Sequence, residues 1–131
     1  MVYNQQNKMY SMTENKISAS SAKQRVGRAG RTMEGYCFRL YSEEDKVTMA
    51  DNKPPEILNI ALDNLVLRLK SLKVKDIVDF PYLTHPGKLF LENSIRVMKM
   101  IGCLDKHEKL TDIGVFLSKI PIEPLLGRAI I

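Results

Sequence analysis

The chain has 131 residues, of which 44% are hydrophobic and 27% are charged, a composition that excludes a disordered tail and allows one compact domain or two small ones. Lysine and arginine number 20 against 15 acidic residues, giving a net charge of +5. This excess disfavours cationic partners and favours anionic ones, with nucleic acid and nucleotide phosphate as the main candidates.

The N-terminal segment, residues 2–18, is polar and has loosely spaced apolar residues around "NQQN". Its asparagines suit a turn, so the pattern predicts a short β-hairpin. The start has no apolar signal sequence, and no later stretch is long and apolar enough to span a bilayer. We therefore expect an intracellular protein, nuclear or cytoplasmic, with no membrane partner. Cys37 and Cys103 are expected to be reduced core residues.

A basic segment follows. Residues 16–39 contain six basic residues and one acid, Glu34, so this segment alone has the net charge of the whole chain. Ser21 and Gln24 have the spacing of a capping box, which predicts a helix over residues 21–31 despite two glycines.

A strand and two helices are predicted next. "GYCFRLY", residues 35–41, alternates as a strand does, so its aromatic side chains are expected to pack. "SEEDKVTM", residues 42–49, has a serine cap and early acids and predicts a short helix. Residues 56–72 give the strongest helix pattern, with apolar positions near a 3.6-residue spacing: Leu58, Ala61, Leu62, Leu65, Leu69 and Leu72.

The remaining chain alternates loops and helices. Prolines and a glycine predict a loop over residues 75–87. Helices are predicted over residues 88–101 and 112–119, and "CLDKHEKLT" between them is typical of a small β-wing. Pro121 and Pro124 then mark the start of a further element.

Three helices with a short hairpin between the last two are typical of a winged helix. The sequence thus predicts a mixed α/β, mostly helical fold, divided near Asp51 and again near Pro121. The chain ends at "LLGRAII" without a helix stop signal, which favours a fragment.

The basic helix carries the most distinctive chemistry. On a continuous helix, about 100° per residue places Gln24, Arg28 and Arg31 on one narrow face. Gly27 and Gly30 border that face, where the missing side chains give a phosphate group room to approach the backbone. Guanidinium groups bind phosphate oxygens in bidentate geometry, and a neighbouring glutamine can orient an attacking water.

The spacing alone leaves two readings of this face open. It either stabilises phosphoryl transfer or contacts the phosphates of a nucleic acid. A second basic run, on the predicted third helix and its end, could line a nucleic-acid channel, although the solvated side of an amphipathic helix is the favoured interpretation there: Arg68, Lys70, Lys73 and Lys75.

"QRVGRAGR", residues 24–31, resembles motif VI of superfamily 2 helicases. With "SASSAK" before it and "GYCFRLYSEED" after it, the segment is similar to the DEAH-box RNA helicases in particular. "PPEILNIALDNLVLRLKSLKVKDIVDF" resembles the entry into their winged-helix domain. "LDKHEKLTDIGVFLSKIPIEPLLGRAII" resembles the end of that domain and the first helix of the following helical bundle, or ratchet. The resemblance covers nearly the whole chain.

The resemblance implies a domain for each part of the chain. Residues 1–50 would be the C-terminal part of a second RecA-like domain, with its inserted β-hairpin at residues 2–18. Residues 51–120 would be the winged helix, and residues 121–131 would start the ratchet. The implied partners of the parent protein are RNA, the missing N-terminal RecA-like domain and a glycine-rich-patch activator protein.

The resemblance also implies roles at an ATP site that uses Mg²⁺ in the parent protein. Gln24 would lie near the γ-phosphate and the attacking water. Arg28 and Arg31 would be arginine fingers, and Gly27 and Gly30 would line the same nucleotide-binding site.

The 131 residues contain neither a GxxxxGK(S/T) phosphate loop nor an Asp-Glu-Ala-His stretch. We therefore expect the chain alone to bind no ATP and to show no ATPase or unwinding activity. The alternative is a stand-alone winged-helix module that binds nucleic acid through a basic arm at residues 18–39.

Overall fold

The structure is a computed structural model that describes residues 2–4 and 9–131. It confirms a mixed α/β, mostly helical fold and forms two compact units, Met12–Pro55 and a second that joins the N-terminal hairpin to Glu56–Ile131. Among the described residues, no helix is long and apolar enough to cross a membrane. The elements are β1 Val2–Asn4, β2 Met9–Ser11, α1 Ala19–Val26, α2 Glu43–Val47, α3 Asp63–Ser71, α4 Lys88–Met100, α5 Asp112–Leu117 and α6 Pro124–Ile130.

The predicted N-terminal hairpin is confirmed in a shorter form. Strands β1 and β2 pair antiparallel, with Tyr3 opposite Tyr10, while the turn predicted at "NQQN" lies outside the described residues after Asn4. Tyr3 is buried, and its ring centroid lies 4.7 Å from that of Tyr10. The hairpin thus contributes an aromatic pair to the second unit.

The predicted continuous helix over residues 56–72 is wrong. The chain makes a 3₁₀ turn at Glu56–Leu58, breaks, and becomes helical again in α3. In a continuous helix the Asn59 carbonyl would accept from the amide four residues later. Instead it accepts from the Tyr3 amide at 3.3 Å, and the Ala61 amide donates to the Tyr10 hydroxyl at 3.3 Å. The hairpin therefore takes the backbone groups that the helix would need.

Helices α3, α4 and α5 enclose the core of the second unit. The predicted helix over residues 88–101 is confirmed as α4, because its 3.6-residue apolar pattern faces this core. Cys103 is buried there as expected, but Cys37 is exposed, which corrects the prediction for that residue. The core residues are Leu62, Val66, Leu67, Leu69, Ile77, Leu91, Ile95, Val97, Met98, Cys103, Leu104 and Leu117.

The predicted β-wing between α4 and α5 is reduced to one bridge, between Leu104 and Leu110. The Asp105 carboxylate organises the tip, accepting the amides of His107 and Lys109 at 2.8 Å each. These bonds hold the pKa of the Asp105 carboxyl below its usual range.

Helix α5 is fixed to the base of this hairpin. The Thr111 hydroxyl caps it, accepting from the Gly114 amide at 3.1 Å and donating to the Gly102 carbonyl at 2.6 Å. A side chain at position 114 would run into the Cys103 carbonyl, so glycine permits this close approach. Helix α6 begins with Pro124 and packs against α5.

In the unit Met12–Pro55, the predicted strand over residues 35–41 is not formed. A strand is stable only when another strand pairs with it, and the described residues form one sheet, which consists of β1 and β2. Tyr36, Phe38 and Leu40 are 86%, 88% and 100% exposed, so the expectation that the aromatic side chains pack is wrong for Tyr36 and Phe38.

The predicted helix over residues 42–49 is confirmed as α2. Its N-terminal cap is Ser42, whose hydroxyl accepts from the Asp45 amide at 3.0 Å. Lys16 approaches the same Asp45 to 2.7 Å, and the hydrogen bond from Lys16 is the main reason that the pKa of the Asp45 carboxyl is lowered.

Candidate functional site

Helix α1 positions the basic segment, and it is shifted relative to the prediction. Its cap is Ser18 rather than Ser21, because the Ser18 hydroxyl accepts from the Ser21 amide at 3.3 Å. The first two amides of the helix, those of Ala19 and Ser20, donate to the backbone carbonyls of residues 50 and 51 at 2.9 Å each. These bonds anchor the start of α1 within its unit.

The helix ends at Val26, five residues before the predicted end. Gly27 is its C-cap, and the amides of Arg28 and Ala29 form tighter turns back to residues 25 and 26. Gly30 then reverses the chain with a φ of +76°, a conformation that favours glycine and cannot continue a right-handed helix.

The predicted single helical face is therefore wrong. Gln24 lies in the last turn of α1, whereas Arg28 and Arg31 lie in the turns that follow on either side of Gly30. A Cβ atom on Gly35 would lie 2.7 Å from the Gly30 backbone nitrogen, so the chain folds closely on itself here.

The three predicted site residues are nevertheless available to a ligand. Gln24, Arg28 and Arg31 are all exposed. Within residues 2–4 and 9–131, their side chains form no hydrogen bond or ion pair with another residue. An amide and two guanidinium groups thus lie within eight residues of one exposed segment, in a form that suits an anion with several oxygens.

The backbone conformation at Gly27 does not require glycine, in contrast to that at Gly30. Its φ of −66° suits any residue, and an added Cβ would make only ordinary contacts, the nearest at 3.6 Å from the Gln24 carbonyl oxygen. The fold therefore explains the glycine at position 30 but not the one at position 27. Room for a ligand beside the backbone remains the reason that the sequence suggested for Gly27.

The inner face of α1 borders a cavity of 240 Å³. Ala22 and Val26 line it, whereas Ala29 is exposed and lies outside it. Sequence reasoning did not identify the three cations around this cavity, because they come from segments with no common spacing: Lys23, Arg39 and Lys46.

Comparison with known proteins identifies relatives along the whole chain. The chain is 44% identical over 131 residues to the human protein named probable ATP-dependent RNA helicase DHX34, covering all of this chain and 12% of that protein. It is 35% identical to the yeast probable ATP-dependent RNA helicase DHR1 and 35% identical to the Escherichia coli ATP-dependent RNA helicase HrpA. Each of these matches covers 98% of this chain and 10% of the relative. No protein-family model matches the chain.

These relatives define the class of the protein. The chain spans about a tenth of the length of the relatives it matches, so it corresponds to one segment of such a protein. Over its whole length the chain is therefore homologous to a segment of DEAH/DExH-box ATP-dependent RNA helicases, which confirms the resemblance found in the sequence.

Proposed function

We propose that this segment supplies the arginine fingers of an ATP-dependent RNA helicase, here called the parent protein. Arg28 and Arg31 would contact the phosphate oxygens of ATP, and Gln24 would orient the attacking water. One observation carries the proposal. These three side chains are exposed and pair with no residue that the structure describes, in a chain whose relatives are ATP-dependent RNA helicases.

The chemistry follows from the properties of the side chains. A guanidinium stays charged at physiological pH and donates two parallel hydrogen bonds to phosphate oxygens. Charge that develops on those oxygens during phosphoryl transfer is stabilised when the donors are already in place. Because α1 is capped and anchored at its start, the basic turns begin from a fixed helix end.

The segment fits the phosphate groups of Mg²⁺-ATP but not the metal ion itself. Residues 24–31 offer guanidinium and amide groups and contain no carboxylate, the ligand that Mg²⁺ uses in proteins. When bound, the metal neutralises phosphate charge. In this proposal its protein ligands lie in the missing RecA-like domain, together with the phosphate loop.

The domain assignments belong to the same proposal. Residues 51–120 would form the winged helix, supported by three helices and the short hairpin before α5. Residues 1–50 would end a RecA-like domain and residues 121–131 would begin the ratchet. ATP-driven closure would then move RNA past the C-terminal domains, with a glycine-rich-patch protein as activator.

RNA-stimulated ATP hydrolysis by the parent protein tests the arginine roles. Arg28→Ala and Arg31→Ala are each expected to lower kcat by roughly 10³-fold or more, the range known for arginine fingers. Arg28→Lys should recover little activity, because lysine keeps the charge but loses the bidentate geometry.

Arg25→Ala is the matched control, since Arg25 is an exposed arginine within α1 that the motif does not place at the phosphates. Wild-type kcat in Arg28→Ala, or an equal loss in Arg25→Ala and Arg28→Ala, would refute the assignment.

A further inference from the structure

A second basic site lies at the end of α3, in the unit that contains Glu56–Ile131. It is a cavity of 410 Å³ between the turn after α3 and the hairpin before α5. Its lining carries four lysines and one acid, and consists of Lys70, Lys73, Val74, Lys75, His107, Glu108, Lys109 and Leu110. With histidine neutral, the lining therefore has a net charge of +3.

The single acid does not neutralise this charge. Glu108 accepts a hydrogen bond from Lys99 at 2.9 Å and lies 3.4 Å from the Lys70 ammonium. The bond from Lys99 is the main cause that lowers the pKa of the Glu108 carboxyl, so Glu108 is ionised and shared by two lysines. Elsewhere in the lining, Lys73 and Lys109 form no ion pair with a residue that the structure describes.

The side chain of Lys70 is buried and hydrogen-bonded. Its side chain is only 6% exposed, and its ammonium donates to the Lys75 carbonyl at 2.8 Å. This corrects the expectation of a solvated helix side for Lys70, whereas Arg68, Lys73 and Lys75 are exposed as expected. Lys70 instead fixes Lys75 and Glu108 around the cavity.

Two residues of the lining have a backbone conformation that usually requires glycine. Lys73 has a φ of 63° and Glu108 a φ of 62°, and they are the non-glycine residues with positive φ among the residues that the structure describes. Lys73 occupies the position after α3 where glycine commonly ends a helix. The chain therefore has charged residues at two positions where glycine would be more stable, and both face one cavity.

A neighbouring cavity shows that this charge is not a general property of the surface. It measures 460 Å³ and shares Lys75 and Glu108 with the first cavity. Its lining balances four cations against four acids: Lys75, Lys88, Arg96 and Lys99 against Asp76, Asp79, Glu92 and Glu108. Of these two adjoining cavities, the one at the end of α3 therefore carries the excess positive charge.

We propose that this lysine-lined cavity binds the phosphate backbone of RNA. The choice of RNA as the polyanion rests on the proposed function, whereas the binding site rests on the cavity itself. Lysine ammonium groups act on phosphates as point charges and release counterions when they bind. The described lining contains no Phe, Tyr or Trp, and His107 is its one ring on which a base could stack, so contacts with phosphate dominate the binding.

The lining favours RNA over an acidic peptide. Peptides bind through apolar anchors or by adding a strand to a sheet edge. Here Val74 and Leu110 are the apolar residues of the described lining, and the hairpin contributes a single bridge rather than a strand edge. A chain of phosphates needs neither feature.

Anisotropy titrations of the 131-residue chain with labelled oligouridine test the proposal over a series of salt concentrations. The variant is Lys73→Gly with Lys109→Ala. The glycine removes a cation and relieves the positive φ, so the melting temperature should be unchanged or higher. We expect Kd to rise about tenfold at low salt. A plot of the logarithm of the association constant against log salt has a negative slope. The magnitude of this slope should decrease by about 1.4, or about 0.7 for each phosphate that a lysine no longer neutralises.

The matched control is Lys88→Ala with Arg96→Ala, which removes the same charge from the balanced cavity and should change Kd by less than about twofold. Lys109→Ala alone, at an exposed position, should give about half of this decrease in the magnitude of the slope. Equal Kd values and slopes for the two double variants would overturn the proposal. Tighter binding of oligoglutamate than of oligouridine, abolished in the same variant, would also overturn it in favour of a peptide site.

The ATPase of the parent protein separates this proposal from the arginine assignment. A cavity variant that weakens RNA binding, combined with wild-type kcat in Arg28→Ala, would refute the arginine fingers and support the cavity. The reverse pattern would refute the cavity alone.

Discussion

Gly27 and Gly30 are three residues apart in one basic segment, yet the backbone requires glycine only at position 30. Gly30 has a positive φ, whereas Gly27 has helical dihedrals and an open Cβ position. The structure therefore explains Gly30 by its backbone conformation, whereas the role of Gly27 at the nucleotide is a proposal. Their alanine variants should respond in opposite ways.

Gly30→Ala is expected to lower the free energy of unfolding of the 131-residue chain by about 1–2 kcal/mol, because alanine is strained at positive φ. Gly27→Ala should raise it by about 0.4–1 kcal/mol, since the native φ is compatible and the unfolded chain loses entropy. Urea unfolding of both variants measures these changes.

In the parent protein, Gly27→Ala should still lower kcat for ATP about tenfold or more, because a methyl group would displace the phosphate from the backbone. An unchanged kcat would show that the site needs no room at Gly27. A destabilised Gly27→Ala variant would contradict the structural account.

At the scale of elements, sequence patterns were reliable where a helix depends on its own residues and the core beside it. Helix α4 has a regular apolar face, so its bounds agree with the prediction to within one residue. The prediction of a continuous helix over residues 56–72 was wrong, because Tyr3 and Tyr10 form hydrogen bonds with backbone groups of Asn59 and Ala61. Contacts between residues about fifty positions apart leave no local signal.

The candidate site shows the same division. The residue types of the motif identified Gln24, Arg28 and Arg31, and the structure leaves all three exposed. Their arrangement was not predictable from helical spacing, because Gly30 turns the chain where the pattern continued the helix. The lysine-lined cavity joins the end of α3 to a distant hairpin, so its residues share no spacing in the sequence.

Tyr3, in the N-terminal hairpin, should make the stability of the fold depend on pH in the alkaline range. Burial, and then the nearby Asp63 carboxylate, raise the pKa of Tyr3 to about 12. The folded state therefore keeps a proton that the unfolded state releases near pH 10. Stability from this group is fully present below about pH 10 and is lost as the pH rises towards about 12.

Tyr3→Phe should remove this dependence. Urea unfolding at increasing pH should show the wild type losing roughly 2 kcal/mol relative to Tyr3→Phe across that interval. Tyr36→Phe, at an exposed side chain, is the matched control. Parallel pH curves for the wild type and Tyr3→Phe would contradict the burial of the Tyr3 hydroxyl.

At the scale of the whole molecule, the chain forms two compact units, and each offers cations to an anionic ligand. The unit Met12–Pro55 presents guanidinium groups suited to bidentate contact with a nucleotide phosphate. The unit that contains Glu56–Ile131 presents ammonium groups suited to a polyanion of variable sequence. This division of arginine and lysine agrees with the two proposals, in which one unit contacts ATP and the other contacts RNA.

The same division predicts what the isolated chain does with ATP. The 131 residues contain two proposed arginine fingers but neither a phosphate loop nor an Asp-Glu-Ala-His stretch. The purified chain is expected to show no Mg²⁺-dependent ATP turnover above the buffer rate, with or without oligouridine. Phosphate release measures this turnover, and the Arg28→Ala variant shows whether any turnover belongs to the chain.

Turnover that Arg28→Ala abolishes would mean that the chain completes an ATP site by itself. That result would contradict the assignment of the nucleotide pocket to the missing domain. Absence of turnover is the outcome that the helicase-segment proposal predicts.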